Sequence, residues 1–155
     1  GSVTGTLDTA YPDPQDSIGL MLWRVTNSWQ RVIRAALAPF DLTHVQFVLL
    51  AVLASIEHTT PITQRDLATR AATDPMMTSQ VLRALESKGL VERAPHPTDG
   101  RARILTITTA GIAIVNRANV AVEEADRAYF AVLGDAAQGF TQSLATLDTG
   151  NVDPM

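Results

Sequence analysis

The chain of 155 residues contains no cysteine, which excludes disulfides, thiolate metal sites and thiol-based redox sensing. Its histidines, His44, His58 and His96, are far apart in sequence, so a histidine-based metal site is not expected. No apolar run reaches the roughly 18 residues of a membrane-spanning helix, and none of the usual catalytic motifs is present. We therefore expect no cofactor, no enzymatic activity and no membrane contact. No secretion signal is visible, so we expect a cytoplasmic protein.

Charge is scarce but unevenly distributed. Charged residues make up 18% of the chain and apolar residues 46%, enough for a single folded domain with a mostly aliphatic core. The net charge of −4 argues against nucleic acid as a partner. However, the segment 65–110 holds seven basic and five acidic residues, whereas the remainder holds five basic and eleven acidic ones. This asymmetry indicates a basic working face on an acidic body.

Apolar spacing and capping signals predict mainly helices. The first predicted helix covers residues 16–38 and the second begins at the capping box Thr43-His44-Val45-Gln46. A short helix over 63–72 precedes another over 74–88, which Asp74 caps and Gly89 ends. The tight turn between these last two helices is typical of a helix-turn-helix. Residues 109–149 are again helical with a break at Gly134, and residues 1–15 and 150–155 are predicted tails.

Two strands, 90–93 and 103–108, flank an Asp99-Gly100 turn and predict a β-hairpin with a basic tip. Arg101 and Arg103 can enter a DNA minor groove from such a tip. Asp99 is close enough in sequence to pair with one of them, and the alternative is a surface ion pair of little consequence.

The helix over 74–88 has two different faces. Met77, Val81 and Leu85, with Thr78 and Leu82 beside them, form the predicted inner face. The opposite face comprises Met76, Ser79, Gln80, Arg83 and Ser87. Gln80 can pair with adenine, Arg83 can contact guanine or a phosphate, and Met76 can pack on a thymine methyl. The alternative is an ordinary solvated face, but the neighbouring turn and basic hairpin favour DNA.

The sequence also resembles the MarR family of bacterial transcription regulators. The resemblance depends on Glu86-Ser87-Lys88-Gly89-Leu90-Val91-Glu92-Arg93, on Asp99-Gly100-Arg101, and on Leu105-Thr106-Ile107-Thr108-Thr109-Ala110-Gly111. The specific match covers about residues 63–111, whereas the flanking helices agree only in number and order. The chain departs from the family pattern at Met76, Met77 and Gln80, so the resemblance does not predict its operator sequence.

The resemblance implies a mainly α-helical α+β fold, a winged helix-turn-helix with N- and C-terminal dimerisation helices. Residues 16–38 and 109–149 would form the dimer body, with Tyr129, Phe140, Leu144 and Leu147 as dimer or core contacts. Residues 39–108 would form the DNA-binding lobe. The implied function is that of a homodimeric regulator, usually a repressor, on a near-palindromic double-stranded DNA operator. Met76, Ser79 and Gln80 would contact bases, Arg101 the minor groove, and Thr63 and Gln64 a phosphate.

Many members of this family release DNA when a small aromatic or phenolic effector binds between the body and the lobe. Trp23, Asn27, His44 and Phe47 are the candidate contacts here, although aromatic side chains at helical spacing also suit a core. A functional alternative is a winged-helix module that binds protein and not DNA. That module predicts no salt-dependent DNA binding and no loss when Arg101 and Arg103 are neutralised.

Overall fold

The computed structural model describes residues 5–57 and 59–150, which form six α-helices and one β-hairpin. His58 and the ends of both predicted tails, residues 1–4 and 151–155, lie outside the described residues. In chain order the elements are α1 (Ile18–Leu37), α2 (His44–Ser55), α3 (Gln64–Ala71), α4 (Pro75–Ser87), β1 (Val91–Pro95), β2 (Arg103–Ile107), α5 (Thr109–Phe130) and α6 (Ala137–Gly150).

Side-chain caps fix where the helices begin. The Ser17 hydroxyl accepts a hydrogen bond from the Leu20 N–H at 3.2 Å and starts α1. At α2 the Thr43 hydroxyl accepts from the Gln46 N–H, and the Gln46 amide oxygen accepts from the Thr43 N–H, both at 3.1 Å. The capping box predicted from the sequence is thus confirmed, and it satisfies two amides that a helix start leaves unpaired.

The helix boundaries differ from the predicted ones mainly at the chain ends. Residues Pro14–Asp16 form a short 3₁₀ turn capped by Asp13, where a tail and the start of the first helix were predicted. The predicted break at Gly134 is confirmed, because its φ of 54° and ψ of −128° are not helical and separate α5 from α6. Helix α6 continues through Gly150, where the sequence predicted a tail.

Helix α2 lies at the centre of the core. It is apolar on nearly every side, and Leu49 and Leu50 are fully buried. It contacts α1, α3, α4, α5 and β2, so residues 39–108 and the flanking helices share one core. Leu82 and Leu85 of α4 reach the same core and are also fully buried.

The hairpin strands pair antiparallel, with Val91 opposite Ile107 and Pro95 opposite Arg103. A third segment joins the pair, because the Leu105 N–H donates to the Ile62 carbonyl at 2.7 Å. This bond attaches the hairpin to the residues just before α3.

No single helix among the described residues is long and apolar enough to cross a membrane. One bent pair, Ile18–Phe40 with His44–Ser55, passes by length and composition, but its halves meet at 76°.

A polar cluster joins α1, α2 and α5. The Trp29 indole N–H donates to Asp126 Oδ1 at 2.8 Å, and the Trp29 ring contacts the His44 ring edge-on with centroids 5.2 Å apart. Burial lowers the pKa of His44, the carboxylate of Asp126 opposes that shift, and the nearby Arg34 guanidinium adds to it.

Gly111, near the start of α5, allows that helix to pack against the chain after α4. A Cβ atom added there would lie 2.3 Å from the Leu90 carbonyl oxygen and 2.7 Å from Ile107 Cγ1. Neither distance leaves room for a methyl group, and the closest atom belongs to the backbone. Glycine is therefore required at this position by close approach.

We expect Gly111→Ala to lower the free energy of unfolding by about 1–3 kcal/mol, because the added methyl overpacks the α5 start. Gly139→Ala in α6 is the matched control, since apart from its chain neighbours and the backbone of its own helix no atom lies within 4 Å of the added Cβ position. The control should be neutral or slightly stabilising, as expected for alanine in a helix. Urea unfolding of both variants measures this difference. Equal stability of the two variants would contradict the packing argument.

The lowered pKa of His44 predicts a pH dependence of stability. Because the pKa of His44 is lowered from its ordinary value of 6.5, the unfolded chain binds a proton there more readily than the folded chain does. The free energy of unfolding should therefore fall as pH decreases from about 7.5 to 5, and His44→Gln should remove that part of the fall. Urea titrations of both proteins across this range measure the difference. Parallel stability curves for the two proteins would refute the assignment.

Candidate nucleic-acid interface

Two short helices and their turn form the helix-turn-helix. The Thr63 hydroxyl caps α3 by accepting from the Asp66 N–H at 3.2 Å, and the Asp66 carboxylate accepts from the Thr63 N–H at 3.1 Å. The hydrogen bond from the Thr63 main-chain N–H to the carboxylate is the main cause that lowers the pKa of Asp66, and the Thr63 side chain adds to it. Ala72, with φ 55°, ends α3 in the left-handed region and redirects the chain toward α4. A tight turn thus joins the end of α3 to the start of α4.

Hydrogen bonds within the turn fix the start of α4. The Asp74 carboxylate accepts from the Met77 N–H at 2.9 Å, and Pro75 occupies the first helical position. The Thr78 hydroxyl is fully buried, donates to the Asp74 carbonyl at 2.8 Å and lies 2.7 Å from the Thr73 hydroxyl. Because Thr78 is held from both sides, the rotation of α4 about its axis is fixed.

That rotation exposes most of the predicted DNA-binding face. Met76 is 72% exposed, Gln80 and Arg83 are exposed, and Ser79 is half-buried. One prediction for the inner face was wrong. Met77 is 41% exposed, because it lies in the first turn of α4, before the buried positions Thr78, Leu82 and Leu85.

The hairpin tip presents Arg101 and Arg103, both exposed. The expected pairing of Asp99 with an arginine side chain is not found among the described residues. Instead, Asp99 Oδ1 accepts from the Arg101 main-chain N–H at 3.0 Å. Nδ1 of His96 accepts from the N–H groups of Thr98 and Asp99, both at 3.1 Å. The carboxylate and the imidazole therefore order the tip and leave the guanidinium groups available.

The basic side chains of this lobe are mostly unpaired. Across residues 5–57 and 59–150, salt bridges join Lys88 to Asp41 and Arg93 to Glu86, and we find no others. The arginines at 65, 70, 83, 101 and 103 thus form no salt bridge in the described part of the chain. Unpaired cations on an otherwise acidic protein attract a polyanion.

The predicted contacts at the start of α3 border a cleft of about 350 Å³. Gln64 lines this cleft with Arg65, Thr69 and Thr73, and Thr63 is the residue just before them. Arg65, Thr69 and Thr73 were not among the candidates from the sequence. Arg65 and Thr69 are four residues apart in α3, so helical spacing places them on one face. Thr73 lies beyond the helix, so only the folded turn adds it.

The structure does not gather the four candidate effector contacts into one described cavity. Trp23 is 69% exposed, and its carbonyl accepts from the Asn27 side chain at 2.7 Å. Phe47 is a core residue, only 6% exposed. His44 borders a cleft of about 430 Å³ whose walls come from α1, α2 and the α3–α4 turn and include Arg34.

Metal ligands are not clustered. The described residues contain no group of three or more histidine, aspartate and glutamate side chains placed to hold an ion.

Comparison with known proteins gives consistent matches. The MarR family model matches residues 42–102. A Bacillus subtilis protein described as the uncharacterized HTH-type transcriptional regulator YdcH is 46% identical over 122 residues, which cover 78% of this chain and 83% of the relative.

Solved structures of the same fold include DNA complexes. The transcriptional repressor CouR bound to a 23-mer DNA duplex matches 92% of this chain and 99% of its own, with a TM-score of 0.81 and 26% identity. A MarR mutant from E. coli in complex with operator DNA matches 90% of this chain and 99% of its own, with a TM-score of 0.78 and 25% identity.

The winged helix-turn-helix geometry, the family model and the 46%-identical relative agree on one assignment. The chain belongs to the MarR family of transcriptional regulators.

Proposed function

We propose that this chain acts as a homodimer that binds a pseudo-palindromic operator in double-stranded DNA and represses transcription. One observation supports the proposal above all others. Helix α4 buries Thr78, Leu82 and Leu85, and so turns Gln80 and Arg83 toward solvent. A helix with an outward amide and guanidinium suits the donor and acceptor pattern of a major groove.

The proposed roles of the individual residues follow from their positions. Met76, Ser79 and Gln80 would contact base edges, and Arg83 a base or a phosphate. The tip residues Arg101 and Arg103 would enter the adjacent minor groove. The cleft at the start of α3, with Thr63, Gln64 and Arg65, would contact the phosphate backbone. The CouR and MarR complexes with DNA favour this function over that of a protein-binding winged helix.

The flanking helices support a homodimer. Helix α6 has no buried residue in the single chain, and its Phe140 and Leu144 are 37% and 40% exposed. On α1, Ile18 and Leu22 are 82% and 46% exposed. An apolar groove of about 600 Å³ runs between these two helices. We infer that α1, α5 and α6 of two copies cover these surfaces. Such a dimer would place its two copies of α4, the recognition helices, about one DNA turn apart.

A small aromatic effector is proposed for the cleft beside His44. This cleft separates the α3–α4 turn from α1, so a molecule bound in it would shift the lobe against the flanking helices. Arg34 would supply a positive charge at its wall. Among the predicted contacts, Phe47 is better explained as core, because it is 6% exposed. We place the protein in the bacterial cytoplasm, where the proposed DNA partner lies.

Selection of bound sequences from a pool of random duplexes, at a defined salt concentration, tests the function directly. The expected product is a near-palindrome with half-sites about ten base pairs apart, bound by two chains. Analytical ultracentrifugation of the protein with and without the selected duplex gives the number of chains. No enrichment of any sequence, with no binding that weakens as salt rises, would favour the protein-binding alternative.

Single substitutions should separate backbone contacts from base contacts. Arg101→Ala should weaken binding to every duplex. The slope of the logarithm of the binding constant against the logarithm of the salt concentration should become less steep by roughly one unit per lost phosphate contact. Gln80→Ala should instead cost about 1–3 kcal/mol at one base pair and relax the preference there.

Fluorescence anisotropy at several salt concentrations, on the selected operator and on a scrambled duplex, measures both effects. Arg127→Ala on α5 is the charge-matched control and should leave binding unchanged. An unaltered salt slope for Arg101→Ala would count against a contact between the hairpin tip and DNA. If Gln80→Ala weakened binding to all sequences equally, then Gln80 would contact only the backbone.

A further inference from the structure

Lys88 is the lysine of the family motif and the single lysine in the chain. It follows α4 directly, and its side chain extends away from that helix to the turn between α1 and α2. Nζ donates to the main-chain carbonyl of Asp41 and to Oε1 of Gln46, the latter at 3.2 Å, and lies 3.6 Å from Asp41 Oδ2. One side chain thus joins segments that are more than forty positions apart in sequence.

The receiving side of this contact is held in place by other bonds. Asp41 adopts the left-handed region at φ 53°, and its N–H donates to the Ala38 carbonyl at 3.1 Å. Gln46 is 8% exposed, and its Oε1 also accepts the Thr43 N–H of the capping box. The two acceptors therefore have fixed positions before the ammonium binds them, which reduces the entropic cost of the contact.

The end of α4 does not need this ammonium group to form. Gly89, at φ 74°, supplies the left-handed residue that ends the helix, and main-chain bonds close the turn, among them the Leu90 N–H to the Leu85 carbonyl at 3.0 Å. Lys88 itself contributes to that closure only through its own N–H. What its side chain fixes is the position of the α4 end against the α1–α2 turn.

We infer that Lys88 is a positioning residue for operator binding, a role that rests on the proposed function. Its contacts with Asp41 and Gln46 hold the C-terminal end of the recognition helix. They thereby set the angle at which Gln80 and Arg83 enter the groove. Without them α4 samples more orientations, and the apparent affinity falls by the fraction of chains that keep the competent one. We call these contacts of Lys88 the tether. Because a dimer uses two such helices, loss of the tether also widens the range of distances between the two copies of α4, and so the range of half-site spacings that the dimer accepts.

Lys88→Met removes the charge and the donors and retains the length of the side chain. We expect about tenfold weaker binding to the selected operator, the equivalent of one partly exposed charge-assisted hydrogen bond. The salt slope should not change, since Lys88 contacts protein and not phosphate. The variant should also discriminate less than the wild type between the selected operator and one lengthened by a base pair. Arg127→Met is the charge-matched control and should match the wild type.

A second measurement needs no DNA. Because the chain lacks cysteine, Ser87→Cys on α4 provides a single site for a nitroxide label. Pulsed electron paramagnetic resonance then gives the distance between the labels on the two recognition helices of a dimer. The distance distribution should be narrower with Lys88 present than in the Lys88→Met background. Equal widths together with unchanged operator affinity would overturn the tether.

The remaining outcomes are also decisive. A flatter salt slope for Lys88→Met would make Lys88 a phosphate contact, and equal losses on both operator lengths together with a lower Tm would make its role only structural. Either result refutes the positioning role. Failure of the wild-type protein to bind any duplex selectively is a different result, because it overturns the proposed function whatever the label distances show.

Discussion

The burial of one face of α4 is the constraint on which the candidate interface depends. Leu82 and Leu85 are fully withdrawn from water, and burial of each such side chain contributes about 1.5–3 kcal/mol. Rotating α4 by half a turn would expose both leucines and bury Arg83. The bonded hydroxyl of Thr78 opposes the same rotation from the first turn of the helix. The groups that face DNA in the proposed complex are therefore selected by what the core requires on the opposite side.

The sequence predicted the fold well because its signals were local. Capping residues such as Thr43 and Asp74 determine where helices start, and Gly134 determines where one ends, through the conformations of their own neighbours. The outer face of α4 was predictable for the same reason, because periodicity alone separates Gln80 from Leu82. Met77 was misplaced because periodicity does not show where along a helix the core begins.

Contacts between distant segments were not predictable in this way. The tether from Lys88 to Asp41 and Gln46 links positions that no periodic pattern relates, and it needs Asp41 in the left-handed region. The bond from Trp29 to Asp126 spans 97 positions. Asp99 shows the same limit at short range. Its sequence proximity to Arg101 suggested an ion pair, yet the carboxylate accepts a main-chain amide, because a tight turn brings that N–H closer than the flexible guanidinium.

These local and distant contacts together explain how an acidic protein can offer a site for a polyanion. The acidic groups nearest the proposed interface are occupied within the protein: Asp66 and Asp74 cap helices, and Asp99 holds the tip. Each accepts main-chain N–H groups that a helix start or a turn would otherwise leave unpaired. Of the arginines in the same lobe, Arg93 pairs with Glu86, whereas those at 65, 70, 83, 101 and 103 form no salt bridge among the described residues. A phosphate that approaches them would displace water and counterions rather than an intramolecular carboxylate, which reduces the cost of binding. The charge asymmetry visible in the sequence is thus only part of the attraction. The rest comes from carboxylates that accept main-chain N–H groups at helix starts and turns.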